Sequence, residues 1–168
     1  IHKIETQIEK CEKNRIENKS NAYKYGIDLY NETKISLMLL KSIVGNNNLQ
    51  YKMLADTIAK EILQCSVDYF NESQEQEKNN NYLEEAMKLA KLAESIAVND
   101  ATKNKVKENI STLEGMKDRE LNQAIDILKS IKKAYQTNEA KITKEVLEMP
   151  MGYNQSINWT KVNQMITN

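Results

Sequence analysis

Catalysis needs a nucleophile, a base or a metal, and this 168-residue chain offers few side chains that supply one. His2 is the only histidine. It sits in a first turn that frays, and no Cys/His dyad or zinc-type ligand set can be assembled around it. Cys11 and Cys65 lack metal-type spacing. Cys65 falls on the apolar stripe of its segment and reads as a small buried hydrophobe rather than a reactive thiol. Cys11 lies on an interrupted seam, where oxidation could cross-link two chains. The carboxylate pairs Glu84/Glu85 and Glu72/Glu75 read as solvated helix faces and caps. The Glu-x-x-His pattern of a di-metal bundle does not occur, and the isolated glycines form no phosphate loop. The chain is therefore read as non-enzymatic, with no catalytic, cofactor-binding or metal-binding residues.

Charge and composition narrow the remaining classes. Lys+Arg and Asp+Glu balance at 24 each, so no global field recruits nucleic acid or an anionic membrane. The longest apolar run, Ile35 to Val44, carries Lys41 and is about half the length of a bilayer span. Neither a transmembrane segment nor a signal peptide is expected. Two cysteines with no need of a staple point to reduced thiols in a cytoplasm. The chain opens on Ile1 without an initiator Met and is read as a fragment of something longer or a processed product. Four glycines and one proline, Pro150, leave few helix breakers, so the expected class is all-α.

The elements that would position any binding residue emerge from internal repetition. Ile27-Asp28-Leu29-Tyr30-Asn31-Glu32-Thr33 returns as Val67-Asp68-Tyr69-Phe70-Asn71-Glu72-Ser73. A second set of matches comprises LLKSIVGNN from Leu39, LAESIAVND from Leu92 and ILKSIKK from Ile127. With the polar insertion at 73–81 set aside, the period is roughly 35 to 40 residues, the length of two-helix solenoid units. Periodicity and stop signals predict helices over about 2–30, 34–44, 49–71, 81–98, 101–116 and 119–137. Asn81 and Glu84 are placed for a capping box, and Gly45 for a C-terminal stop. Ala90, Ala93 and Ala97 fall within roughly 40° of Ala86 at the helical repeat, with Leu89, Leu92 and Ile96 on their flank. So wide an apolar arc calls for two packing partners: a close one against the alanines, the helix of its own hairpin, and the next hairpin against the leucines.

These residues resemble the tetratricopeptide (TPR) family, whose second helix carries a small residue, then larger and small residues four and seven positions on. Ala86, Ala90 and Ala93 keep that spacing, as do Ala124, Leu128 and Ile131, and the resemblance covers about residues 22 to 137. The Trp-Leu-Gly signature of the family's first helix is not present. The resemblance implies a right-handed α-solenoid of about three antiparallel hairpins and a concave groove that binds a protein or peptide. It also implies that Lys105 and Asn109, one turn apart, could clamp a partner's C-terminal carboxylate. A weaker similarity is to the helical-repeat regions of bacterial J-domain co-chaperones.

The expected organisation is an N-terminal helical extension at 1–21, repeats at about 22–48, 49–98 and 99–137, and a C-terminal region at 138–168. In that last region Trp159 lies on a short helix that either caps the solenoid or engages a partner. Tyr23, Tyr30 and Tyr69 either line a groove or fill space between helices. Ile1, Ile4, Ile8 and Cys11 recur at seam spacing until Arg15 and Asn18 interrupt them, and a homodimer through residues 1–18 is the alternative to the scaffold.

Overall fold

The computed structural model describes residues 1–76 and 81–147. All the regular structure among them is helical: α1 (His2–Glu17), a 3-10 turn at Lys19–Asn21, α2 (Ala22–Val44), α3 (Leu49–Gln76), α4 (Tyr82–Ile96) and α5 (Asp100–Leu147). The chain divides into two compact units, Ile1–Lys117 and Asp118–Asn168.

Within the first unit α3 is the central element. It packs on α1, α2 and α4, while α1 also packs on α2, and α2 on α4. Its composition explains the position: Leu54, Ala55, Ile58, Ala59, Ile62, Leu63, Cys65, Tyr69 and Phe70 are all buried and cover most of its circumference, leaving Met53, Thr57 and Lys60 on one exposed stripe. An apolar arc this wide needs neighbours on several sides.

The helix borders differ from the sequence reading in three places, each for a local reason. The long helix expected over 2–30 is cut at Asn18, whose backbone is extended (φ −149°, ψ 90°). Asn18, Ser20 and Asn21 are of the residue types that favour turns over helix interiors. The break expected near Asn31–Thr33 does not occur, because Thr33 is buried and donates its hydroxyl to the Leu29 carbonyl at 2.6 Å within the helix. The two helices expected over 101–116 and 119–137 are one, so Asp118 caps nothing and no third hairpin forms at 99–137. Gly115 is an isolated glycine among strong helix formers. Its cost of about 1 kcal/mol is too small to end the helix.

Of the two end signals, the stop at Gly45 behaves as read and the cap at Asn81 does not. Gly45 ends α2 at φ +83°, with its amide donating to the Lys41 carbonyl at 2.9 Å. The capping box at Asn81 does not form: no side-chain cap bond is made there, and Glu84 reaches Lys117 at 3.1 Å. The alanine strip is buried throughout and lies where helices approach closely. Ser66 of α3 donates to the Ala86 carbonyl of α4 at 2.8 Å. The leucine flank is shared between two neighbours. Leu89 lies over Gly26 of α2, where an added Cβ would meet Leu89 Cδ2 at 2.8 Å. Leu92, with Leu83 and Met87, lines a cleft with Glu114 and Lys117 of α5.

The α4–α5 junction is set by a buried carboxylate. Asp56 of α3 accepts from the Val98 amide (2.8 Å), the Asn99 amide (3.2 Å) and the Asn99 side-chain amide. Val106 and Leu113 of α5 complete the core.

Candidate functional site

The concentration of chemistry lies where α1 crosses α3. Arg15 is in phase with Ile4 and Cys11 on α1, so the packing that buries those residues also buries the guanidinium. On α3, Glu61, Cys65 and Asp68 occur at i, i+4 and i+7 and share one helix face. Arg15 Nε donates to Glu61 Oε1 at 2.7 Å, Nη2 to Oε2 at 3.2 Å, and Nη1 to Asp68 Oδ2 at 2.6 Å. Asp68 Oδ1 accepts from Gln64 Nε2 at 3.1 Å, so both carboxylates use both oxygens. Each of the three charged side chains is 10% exposed.

Beside this ion cluster lie the two thiols. The Sγ atoms of Cys11 and Cys65 are 3.6 Å apart, and Cys11 donates to the Tyr25 carbonyl at 3.5 Å. Both thiols are buried and free. The sequence reading placed them on separate stripes; the fold joins them across 54 positions of chain. An intermolecular cross-link at Cys11 is correspondingly disfavoured, since that sulfur faces its own chain.

The electrostatics follow from burial and pairing. Burial disfavours the Arg15 charge, yet the hydrogen bonds and charges of Glu61 and Asp68 outweigh it and hold the guanidinium above its usual value. Burial raises the Glu61 carboxyl above the ordinary carboxylate range, with Arg15 opposing the shift. The Cys65 thiol is pushed up by its hydrogen bond with Cys11 and by burial, with Glu61 adding to the shift and Arg15 opposing it. A thiol so placed stays protonated and is a poor nucleophile.

Cys11, Glu61 and Cys65 also bring three donor atoms within 4.8 Å of one another, a combination suited to a soft cation that sequence spacing did not suggest. Both oxygens of Glu61 are already committed to Arg15, so a cation there would compete with the guanidinium.

A second feature is an apolar groove of about 700 Å³ between α1 and the start of α3, lined by Ile8, Leu49, Met53 and Leu54, with Glu5 and Glu9 among its walls. Nearby in sequence, Ile35, Met38, Leu39 and Ile43 are more than half exposed on one face of α2. On α5, Leu121, Leu128, Ile131 and Tyr135 are likewise exposed.

The residues singled out for partner binding are dispersed. The Tyr23 and Tyr69 rings meet at 5.6 Å between α2 and α3, with Lys88 Nζ 5.9 Å from the Tyr23 centroid. Tyr69 donates its hydroxyl to Glu85, so this pair fills space between helices. Tyr30 lies two turns along α2 beneath Lys34. Lys105 is exposed on α5, whereas Asn109 is half-buried with its Oδ1 enclosed and unbonded. Trp159 lies outside the described residues. The groove escaped the sequence reading because Leu49 and Met53 sit beside a predicted turn, while Glu5 and Ile8 belong to the segment read as a dimer seam. Ile4 and Cys11 of that seam are buried within the chain, so pairing through residues 1–18 would need other faces of α1.

No family model matches the chain, and neither a curated protein nor a solved structure shows significant similarity to it. No helix among the described residues is long and apolar enough to cross a membrane.

Proposed function

We propose that the chain is a non-enzymatic, cytoplasmic scaffold that binds a protein partner, and that its helices form a TPR-like right-handed α-solenoid. The observation that carries the binding reading is the groove between α1 and α3. About 700 Å³ of space is walled by Ile8, Leu49, Met53 and Leu54, and Leu49 and Met53 are 72% and 59% exposed. Exposed apolar surface of this kind on a charged protein marks an interaction site. Its apolar walls suit the apolar face of an amphipathic helix, and Glu5 and Glu9 favour a partner with basic residues flanking that face. The stack is supported by the order of packing: α1 meets α2 and α3, and α4 meets α3 and α2, whereas a closed four-helix bundle would also join α1 to α4.

The test compares the wild-type chain with Leu49→Glu and Met53→Glu. Both positions are exposed, so circular dichroism should be unchanged. Binding of Lys-rich amphipathic helical peptides, followed by fluorescence anisotropy, should fall at least tenfold in either variant. Equal binding by all three proteins would remove the groove from the reading.

A second reading is self-association. It is favoured by the spacing of Leu121, Ile125, Leu128, Ile131 and Tyr135 along an exposed face of α5. Light scattering separates the two readings, because a scaffold of this kind is monomeric without its partner.

A further inference from the structure

Two thiols on different helices in van der Waals contact, the two cysteines of this sequence, form a place where a specific covalent bond can be made. We propose that Cys11 and Cys65 are a thiol-oxidation site, closed by a disulfide-class oxidant such as oxidised glutathione into an intramolecular bond that fastens α1 to α3. The sulfurs stand 3.6 Å apart and need to approach by about 1.5 Å to reach bonding distance. α1 is the element able to supply that movement. It is joined to α2 only through the extended residue Asn18 and a single 3-10 turn.

The two cysteines differ in access, which gives the reaction an order. Cys11 lines a small cleft of about 30 Å³ between α1 and α2, with Lys10 at its wall. Cys65 is fully enclosed. Transient opening of α1 exposes Cys11 first. Its thiolate attacks one sulfur of oxidised glutathione, the glutathione S–S bond breaks, and one glutathione leaves as a thiolate that takes up the proton Cys11 lost. Cys65, deprotonated in turn, attacks the Cys11 sulfur of the mixed disulfide. The second glutathione leaves and takes up the Cys65 proton. The protein pair is thus oxidised by two electrons and oxidised glutathione is reduced to two glutathiones. Arg15 only partly opposes the hydrogen bond and burial that keep Cys65 protonated in the closed fold, so the second attack depends on the same opening of α1.

The bond would close a long loop between the first helix and the central one and restrict the unfolded chain, so the oxidised form should be the more heat-stable. The reduced full chain is incubated with oxidised glutathione under native conditions, quenched with acid, and read by intact mass and peptide mapping. The expected product is a monomer lacking two hydrogens, with the Cys11 and Cys65 peptides linked and a Tm raised by on the order of 10 °C. Cys11→Ala and Cys65→Ala should each show neither the mass loss nor the rise. The direct mapping on wild-type protein stands even if a variant folds poorly. Three results would overturn the proposal: Cys11–Cys11 dimers as the main product, thiols that oxidise only after denaturation, or stoichiometric zinc in the reduced protein that blocks oxidation and leaves on chelation. The last would assign the two sulfurs and Glu61 to a metal instead.

Discussion

Arg15 is the side chain on which the α1–α3 contact turns. Replacing it by methionine keeps much of its volume but leaves Glu61 and Asp68 buried without a cation. That should cost about 3–5 kcal/mol in a urea titration. The pH dependence of the loss has a definite sign. Burial already holds the Glu61 carboxyl above the ordinary range, and Arg15 is the group opposing it. In Arg15→Met the folded-state value rises further, which favours the protonated folded state. The stability that comes with a raised carboxyl is present below the unfolded value near 4.5 and is lost as pH climbs through the folded one. The deficit of the variant should therefore shrink between about pH 7 and pH 5, and a deficit that widens on acidification would refute the assignment. A subtler test is Gly26→Ala, whose methyl would stand 2.8 Å from Leu89 Cδ2 and 3.1 Å from Cys65 Cβ. Overpacking outweighs the gain in helix propensity, giving a net loss of about 1–2 kcal/mol by thermal melt. Part of this site was legible in the sequence. The stripe of Ile4, Ile8 and Cys11 is visible there, but Arg15 reads as its interruption, whereas the fold keeps Arg15 in phase with the stripe and buries it against opposite charges. Which carboxylates would meet it was not legible, because that is fixed by how α1 crosses α3 and by no local pattern.

At the level of elements, the sequence spoke clearly wherever a backbone requirement has a residue signature. Gly45 stops α2 because the chain there adopts a positive φ, and the alanines of α4 mark its close approach to α3. It spoke poorly wherever tertiary contact decides between turn and helix, as at Thr33, or where a lone glycine is too weak to interrupt a helix, as at Gly115. Gly115→Ala accordingly should stabilise: an added Cβ meets nothing within 4 Å. A gain of about 0.5–1 kcal/mol is expected in chemical denaturation, and a loss would mean that α5 is not continuous there. The α4–α5 junction has the opposite character. Asp56→Ala removes the acceptor of the Val98 and Asn99 amides and should cost about 2–3 kcal/mol. Hydrogen exchange localises the effect. The amides of Val98 and Asn99 should lose protection first, whereas uniform loss across α1 to α4 would assign Asp56 to general packing. The repeated motif is instructive here too. Its two copies place Asp28 in solvent and Asp68 against Arg15, so similar sequence serves a surface in one helix and the ion cluster in another.

For the whole molecule, the decisive observation is where the core stops. Every buried apolar side chain among the described residues lies between Ile4 and Leu113, inside the unit that ends at Lys117. Beyond it, α5 continues to Leu147 with Leu121, Leu128, Ile131 and Tyr135 exposed. An isolated helix has little stability of its own in water, because packing of an apolar face supplies most of what holds helices together. Residues 1–117 should therefore fold without the rest of the chain, melting in one cooperative transition with a Tm within about 3 °C of the full-length value. In the full chain, amides of α3 should exchange only through global unfolding, while those of residues 118–147 exchange by local fraying, faster by two or more orders of magnitude. Protection of 118–147 that rises with protein concentration would show that a second copy covers the α5 stripe and would favour self-association over the scaffold. Failure of 1–117 to fold would mean that the unit boundary at Lys117 is not a boundary of stability. It would also weaken the case that the groove at Leu49 and Met53 is presented by a self-sufficient frame.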